Sequence, residues 1–211
     1  MKHWKIAVVL TLGLGAVVGC QEDKLGPVVN DGTPPGAIRH AEAEALPGAV
    51  VITFTPPSDP DLLYVKAVYT TKDGQNRETK ASYYTNKITI KGFADTSLYD
   101  VNLYAVDKGE NNSPPYTITV RPERPPYLLV RDSIKAVADF GGLNVQFVNQ
   151  LREDVAIITL GNDSLGNFVP VNTHYTNIER GSFSTRGFPA QPTTFGICVR
   201  DRWNNLSDTL L

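Results

Sequence analysis

An internal repeat limits the folds open to this chain more than any other sequence feature. Residues 48–54 (GAVVITF) align with residues 141–147 (GGLNVQF), and both segments place apolar side chains at every second position. This alternation is typical of a β-strand with one buried face. An aspartate follows each segment at the same distance, as Asp61 and as Asp154. The repeat therefore predicts two related units in tandem.

Two later segments extend the repeat. Residues 91–93 (KGF) match residues 186–188 (RGF). A set of three polar residues also recurs at identical spacing, as Asp107, Asn111 and Ser113 and again as Asp201, Asn205 and Ser207. Asp and Asn side chains hydrogen-bond to nearby backbone in turns. The recurrent set therefore predicts a loop-bracing role in both units.

Composition and strand rhythm predict the fold class. The chain has 15 prolines, 17 glycines and many short runs of Val, Ile, Tyr and Thr, which favour an all-β protein. Each unit has the length and rhythm of an immunoglobulin-like sandwich of about seven strands. We expect two tandem β-sandwiches, over residues 33–122 and 123–211. The prolines of residues 122–126 predict a stiff, extended connection, and Tyr127 beside it is predicted to wedge the two domains together into a rod.

The first unit carries a more specific pattern. Its B strand ends at Phe54 before a proline pair, and Tyr99 lies six residues after Phe93. This arrangement resembles the fibronectin type III family, with Phe54 where that family usually has a tryptophan and Tyr99 at the tyrosine corner. The resemblance implies that the Tyr99 hydroxyl ties an inter-sheet connection to backbone. The second unit departs from the pattern, because Phe195 aligns with Val101 and no tyrosine stands at its corner.

The N-terminus reads as a secretory signal that ends at Cys20. Lys2 and Lys5 precede an apolar stretch from Ile6 to Val18, and small residues lead directly to the cysteine. Val17–Cys20 resembles the lipobox of bacterial lipoproteins, which implies a signal peptide over residues 1–19, acylation of Cys20 and a linker over residues 20–32. A transmembrane anchor is the alternative, but the stretch is shorter than the roughly 20 residues needed to span a bilayer. An ordinary cleaved signal with a coincidental cysteine is another.

The residues after Cys20 predict where the protein is exported. Residues 21–24 (QEDK) resemble the surface-export signal of lipoproteins in starch-utilisation-system-like outer membranes. A single lipid chain binds a membrane marginally, whereas two or more anchor a protein stably. We therefore expect a lipid-anchored, surface-exposed protein of the outer membrane.

Charge and cysteine content narrow the class of partner. The net charge is −2, which argues against nucleic acid because phosphate neutralisation needs a basic stripe. The chain has two cysteines, so acylation of Cys20 leaves Cys198 unpaired and excludes a disulfide framework. Cys198 lies between Ile197 and Val199 in a predicted strand, and we expect it to be an inert, small side chain.

The sequence offers little support for a catalytic or metal-binding site. Outside the signal the histidines are His40 and His174, which lie in different units and in no metal-ligand spacing. No Gly-x-Ser-x-Gly elbow occurs in the sequence. Residues 59–61 (DPD) have the chemistry of a calcium-binding loop, but Asp and Pro are also ordinary turn residues, and we favour a turn. We predict a non-enzyme with no cofactor and no metal.

Aromatic residues make the better case for a ligand surface. Trp203 is the only tryptophan outside the signal, and it falls in the predicted FG loop between Arg202 and Asn204. An exposed indole beside such groups can stack on a sugar ring and hydrogen-bond to its hydroxyls. The alternative is that Trp203 packs against a following domain or covers the end of the sandwich. Tyr83 and Tyr84 would place one ring on each face of any strand that they occupy, so one ring is expected to be exposed. Tyr84 is included as a candidate ligand residue.

Two segments carry a wider family resemblance. Residues 61–69 (DLLYVKAVY) and 199–205 (VRDRWNN) resemble surface lipoproteins encoded with starch-utilisation-system-like glycan uptake machinery, which carry two fibronectin-III-like domains of unknown function. The resemblance implies a non-catalytic spacer or scaffold that supports polysaccharide binding, with a glycan and an outer-membrane transporter complex as partners. A galactose-binding-type domain often follows in that family. The chain is then either a shortened fragment or a two-domain spacer.

Two other functions stay open at this stage. The first is an adhesion or assembly protein that binds a protein partner through sandwich edges or loops. The second is an accessory module of a glycosidase.

Overall fold

The computed structural model describes residues 32–211. The predicted signal peptide, Cys20 and nearly all of the predicted linker lie outside the described residues.

Residues 41–120 form a β-sandwich of seven antiparallel strands. Strands β1, β2 and β5 form one sheet, and β4, β3, β6 and β7 form the other in that order. The predicted B strand is β2. The strands are β1 (Ala41–Leu46), β2 (Ala49–Phe54), β3 (Leu62–Thr70), β4 (Asn76–Ser82), β5 (Lys87–Lys91), β6 (Tyr99–Asp107) and β7 (Tyr116–Val120).

The core of the first sandwich follows from the alternation in its strands. Val50, Ile52 and Phe54 of β2 are buried and belong to one apolar cluster with side chains of the opposite sheet, among them Val65 and Leu103. Because successive side chains of a strand point to opposite faces, a period of two is enough to fill the space between two sheets. Phe54 occupies the core position assigned to it from the sequence.

Residues 135–201 form a second sandwich on the same plan. Sheet β8-β9-β12 faces sheet β11-β10-β13. Two isolated bridges, Ile197 to Leu210 and Arg200 to Leu206, stand where a seventh strand was expected. The predicted all-β tandem of sandwiches is confirmed, with six regular strands in the second unit. They are β8 (Lys135–Asp139), β9 (Gly142–Val148), β10 (Val155–Asn162), β11 (Phe168–Thr176), β12 (Arg180–Arg186) and β13 (Gly196–Asp201).

The connection between the sandwiches differs from the prediction. Helix α1 (Pro126–Ser133) begins directly after Pro125, so the expectation of an extended connection is wrong from Pro126 onward. A proline at the first helical position has a suitable φ and no N–H to leave unsatisfied. The helix is stabilised by its buried side chains, Tyr127 and Val130. In the described range 32–211, no helix is long and apolar enough to cross a membrane.

The tyrosine corner also differs in its partner. The Tyr99 hydroxyl donates to the Asp95 carboxylate at 3.1 Å, whereas the resemblance implied a backbone acceptor. The same carboxylate accepts the backbone N–H of Ser97 at 2.8 Å. Tyr99 is in the predicted place, but it ties the corner through a side chain.

Candidate functional site

The recurrent polar residues brace one loop in each domain. Asp107 accepts hydrogen bonds from the backbone N–H and the side-chain amide of Asn111, at 2.9 and 3.0 Å. Asp201 accepts the corresponding bonds from Asn205, at 2.8 and 2.7 Å, and a further one from the Trp203 N–H at 2.9 Å. The predicted loop-bracing role is confirmed in both units.

The serines of the repeat play the same part in both copies. The Oγ of Ser113 accepts the N–H of Ala105 at 3.0 Å and donates to the carbonyl of Pro114 at 2.9 Å. The Oγ of Ser207 accepts the N–H of Val199 at 2.9 Å and donates to the carbonyl of Asp208 at 2.8 Å. Each serine therefore accepts a backbone N–H of the strand that precedes its loop, which is β6 in the first domain and β13 in the second.

In the second domain the braced loop also contacts the first domain. Arg77 donates to the carbonyl of Gly92 at 2.7 Å and to the carbonyl of Trp203 at 3.0 Å. The side-chain amide of Asn205 donates to the same Gly92 carbonyl at 3.2 Å. A Cβ added at Gly92 would lie 2.7 Å from Cγ of the Trp203 indole. We call Arg77, Gly92, Trp203 and Asn205 the interdomain joint.

Three further contacts lie beside the joint. The Tyr127 hydroxyl donates to the carbonyl of Ala94 at 2.8 Å, and Tyr127 is also part of the core of the second domain. Tyr127 therefore contacts both domains, as predicted. Lys91 pairs with Glu153 at 3.4 Å, and the N–H of Gly48 donates to the carbonyl of Glu123 at 3.0 Å.

The two braced aspartates differ in their pKa directions. Burial raises the pKa of Asp201 even though Asn205 and Trp203 donate hydrogen bonds to it. Burial acts in the same direction on Asp107, but the hydrogen bonds from Asn111 outweigh it and the pKa is lowered. The same local motif thus has a different electrostatic setting where its loop lies against the other domain.

The joint determines the place of Trp203. Its indole lies against Gly92 and is half-buried, and the Arg202 guanidinium stands 5.3 Å from the centroid of its ring. The alternative that Trp203 packs against a domain matches this geometry, with the preceding domain in place of a following one. Sugar stacking by Trp203 stays a prediction.

Arg202 and Asn204 lie in a different environment from Trp203. Both line an open cavity of about 520 Å³ on the second domain. We call this cavity the sheet-end groove, because the ends of β10, β11 and β13 form it. Its lining residues are Asp154, Val155, Ala156, Tyr175, Thr176, Asn177, Arg200, Asp201, Arg202 and Asn204.

Strand register explains the groove. Ala156 of β10 pairs with Tyr175 of β11 on one side and with Arg200 of β13 on the other. Cross-strand partners share a face of the sheet, so the tyrosine and the arginine flank a short alanine. The Tyr175 hydroxyl and the Arg200 guanidinium are 3.5 Å apart above it. The sequence analysis missed Tyr175 and Arg200, because this pairing joins residues that are distant in the chain.

Tyr84 is not part of this groove. It lies in the first domain, in the turn after β4, with 82 % of its surface exposed. Tyr83 and Tyr84 lie in a turn with ring centroids 3.9 Å apart, so the alternation expected of a strand does not apply to them. The expected exposure of one of the two rings is confirmed, because Tyr84 is exposed. A turn places no alternation on its side chains.

The surroundings of Cys198 and His174 do not favour a reactive role for either side chain. Cys198 is buried, and burial raises the pKa of its thiol, which lowers the thiolate fraction that reactivity needs. His174 stacks on Phe183 with ring centroids 4.5 Å apart. Among residues 32–211, no group of three or more His, Cys, Asp or Glu side chains is placed to hold a metal ion.

Two family models match the chain. Residues 35–122 match a domain of unknown function described as DUF4959, and residues 123–211 match a second, described as DUF5126. No curated protein is significantly similar to the chain.

Solved structures with similar folds include fibronectin type III domains. A two-domain segment of chicken tenascin covers 82 % of this chain and 95 % of its own length, at 14 % identity and a TM-score of 0.38. The FN5 domain of Drosophila Lar covers 42 % of this chain and 97 % of its own length, at 13 % identity and a TM-score of 0.36. A SusE-like protein is 28 % identical over 41 % of this chain, with a TM-score of 0.36. The match covers 29 % of the length of that protein.

Proposed function

Because residues 35–122 match a DUF4959 domain and residues 123–211 a DUF5126 domain, both of unknown function, we propose that this chain is a non-catalytic surface lipoprotein of the outer membrane. Its two sandwiches act as a spacer that carries a glycan-binding surface away from the membrane. In this role the protein supports polysaccharide capture and uptake beside an outer-membrane transporter complex.

The interdomain joint is the observation that carries the spacer role. Two sandwiches joined by a flexible linker move independently unless their interface holds them. Here the Gly92 carbonyl accepts hydrogen bonds from both domains, from Arg77 at 2.7 Å and from Asn205 at 3.2 Å. Tyr127 adds a third tie to the carbonyl of Ala94 at 2.8 Å. Contacts of this kind limit the motion of one domain relative to the other, and a spacer needs such a fixed arrangement.

The N-terminal sequence supports the location. The run that ends at Cys20 resembles a lipobox, and residues 21–24 resemble a surface-export signal. An acylated Cys20 anchors the chain without a membrane-spanning helix. The prolines and the joint then hold the second domain beyond the first.

The sheet-end groove supports a glycan as the ligand. It places Arg202 and Asn204 beside the exposed ring of Tyr175. Aromatic rings with a few convergent polar groups are the usual lining of small-ligand sites. This groove gives the second domain a surface on which a sugar chain can lie.

Membrane fractionation of cells that express the full chain tests the anchor. We expect Cys20→Ala to release the protein into the soluble fraction, because the acylated thiol is lost. Cys198→Ala is the matched control, since it removes a buried cysteine and leaves the anchor in place. Retention of Cys20→Ala in the membrane would show that the anchoring proposal is wrong.

A protein partner is the second candidate, and the edge of the second domain favours it. Strand β8 pairs with β9 alone in the described part of the chain, and four of its five residues are exposed. Beside it lies an apolar cavity of about 490 Å³ lined by Val137, Phe195 and Leu211. An edge strand with an apolar neighbour can accept a strand from another protein. Co-purification of a defined partner that is lost in Val137→Lys, with no glycan bound, would favour this function.

A further inference from the structure

The sheet-end groove has an electrostatic feature that a site for neutral sugars does not need. Arg200 lies in β13 and Arg202 in the turn directly after that strand, and both side chains line the groove. Neither arginine has a carboxylate partner within 4.0 Å among residues 32–211. Two guanidinium groups with no ion pair thus line one cavity.

Several other arginines of the same domain are paired with carboxylates. Arg131 bonds to Asp208 at 2.5 Å and Arg186 to Asp139 at 2.9 Å. The carboxylates near the groove do not form ion pairs with Arg200 or Arg202. Asp201 is bonded to the N–H groups of its own loop, and Asp154 accepts the Asn177 amide at 3.2 Å. The two arginines are therefore available to an external anion.

The surroundings of the arginines fit a sugar that carries the anion. The Tyr175 ring is 71 % exposed and offers an apolar face on which a pyranose ring can stack. Asn177 and Asn204 are exposed in the cavity lining and supply amide donors and acceptors for hydroxyls. Asp154 supplies one further acceptor. The volume of about 520 Å³ is within the range of small-ligand sites, about 300–1,000 Å³.

We propose that the sheet-end groove binds an anionic sugar unit of a glycan, with Arg200 and Arg202 on its carboxylate or sulfate group and Tyr175 under its ring. Guanidinium groups recognise both oxyanions through paired N–H donors. This inference rests on the proposed glycan-binding function and narrows its ligand class to acidic polysaccharides.

Affinity electrophoresis of the full chain in detergent tests the inference with pairs of polymers that differ only in charge. Polygalacturonate and its methyl ester test the carboxylate, and a sulfated galactan and its desulfated form test the sulfate. We expect at least one of the two anionic polymers to retard the protein. Its neutral partner should bind the protein at least about tenfold more weakly.

Variants assign the effect to the groove. Arg200→Gln, Arg202→Gln and Tyr175→Ala each should weaken binding by about tenfold or more. Arg180→Gln is the matched control, because it removes an exposed arginine of the other sheet and should leave binding unchanged. Unchanged melting temperatures of the variants would show that the losses are not losses of fold.

The outcomes separate this inference from the proposed function. Equal binding of charged and neutral polymers, or binding of neutral glycans such as α-glucan alone, overturns the inference and leaves the glycan-binding function standing. An equal loss in Arg180→Gln also overturns it, since that result shows non-specific charge attraction. Failure to bind any glycan, charged or neutral, overturns both.

Discussion

Asp95 holds the corner of the first domain through several partners at once. It accepts the Ser97 N–H at 2.8 Å and the Tyr99 hydroxyl at 3.1 Å, and it forms an ion pair with Lys72. Burial alone would raise the pKa of Asp95, but the hydrogen bonds from Lys72, Ser97 and Tyr99 outweigh it and lower the pKa to about 2. Burial, with the charge of Asp95, raises the pKa of Tyr99 to about 12.

The lowered pKa of Asp95 predicts a pH dependence of stability. In the unfolded chain an aspartate has a pKa of about 3.9, so the native contacts of the carboxylate stabilise the fold above that value. This contribution is lost as the pH falls from about 4 to about 2. We expect Asp95→Asn to lower the free energy of unfolding by about 1 kcal/mol at pH 7, after allowance for solvent screening of a partly exposed group.

Urea unfolding between pH 2 and pH 7 measures this effect. The difference between the native protein and Asp95→Asn should shrink as the pH falls from about 4 to about 2, because Asp95 is protonated first in the unfolded chain and then increasingly in the folded one. Other carboxylates titrate in the same range, so the difference between the two proteins is the informative quantity. A difference that stays constant across this range would contradict the assignment.

The positions of some single residues can be predicted from the sequence, whereas their contact partners cannot. The spacing from Phe93 places Tyr99 at the corner correctly, because that spacing is local. The acceptor of its hydroxyl depends on how the loop carries Asp95, and local spacing does not specify this. Tyr175 and Arg200 are harder still, since only the register with Ala156 brings them together.

The loop after β6 and the loop after β13 are built from the same residue types at the same spacing. Ser113 and Ser207 make matching pairs of hydrogen bonds to backbone, although their domains match different family models. Both serines are buried. The hydrogen bonds of these loops are therefore specified by the local sequence and are the same in two different domains.

This equivalence predicts matched effects of two substitutions. Ser113→Ala and Ser207→Ala each leave one buried backbone N–H without its acceptor, which costs about 1–3 kcal/mol of stability. The two losses should be similar, because the bonds are similar. Ser164→Ala, in the exposed turn after β10, should change stability by less than about 0.5 kcal/mol.

Chemical denaturation of the three variants gives the comparison. A loss confined to one of the two buried serines would show that the bracing is not equivalent in the two domains. A large loss in Ser164→Ala would show that the method does not distinguish buried from exposed hydroxyls.

Helix α1 illustrates why the prediction of an element can fail. The proline run of residues 122–126 favours extended backbone, and this holds as far as Pro125, whose ψ is 147°. At Pro126 the same residue type begins a helix, since φ near −65° suits both structures. Burial of Tyr127 and Val130 in the second core favours the helix, and the proline pattern does not reveal that burial.

At the scale of the whole molecule, Gly92 lies at the centre of the interdomain joint, where its carbonyl accepts hydrogen bonds from both domains. Its φ is 88°, in the left-handed region that favours glycine. A Cβ there would lie 2.6 Å from Nη1 of Arg77 and 2.7 Å from Cγ of Trp203. Both the conformation and the space at this position therefore require glycine.

Gly92→Ala should loosen the joint as well as strain the backbone. Gly74→Ala is the matched control, because Gly74 has a φ of 82° and nothing within 4 Å of the added Cβ. Each variant should lose about 1 kcal/mol of stability from the positive φ. Only Gly92→Ala should also displace the Arg77 and Trp203 contacts.

Small-angle X-ray scattering of the two variants separates these effects. Gly92→Ala should broaden the distribution of interdomain distances, while Gly74→Ala should match the native protein. Identical scattering from all three proteins, with Gly92→Ala folded, would mean that these contacts do not hold the domains together. The spacer role would then lose its main support.

Periodicity and spacing within short segments are enough to predict the all-β class, the duplication, the core strands around Phe54 and Phe147 and the braced loops. The sequence also carries the prediction that Cys20 is lipidated. The direction of the loop after β13, in contrast, depends on how the two domains pack together. The tertiary structure places Trp203 against Gly92 of the first domain, and it assembles the groove from Tyr175, Arg200 and Arg202. Contacts of this kind depend on strand register and domain packing, which join residues that no local pattern connects.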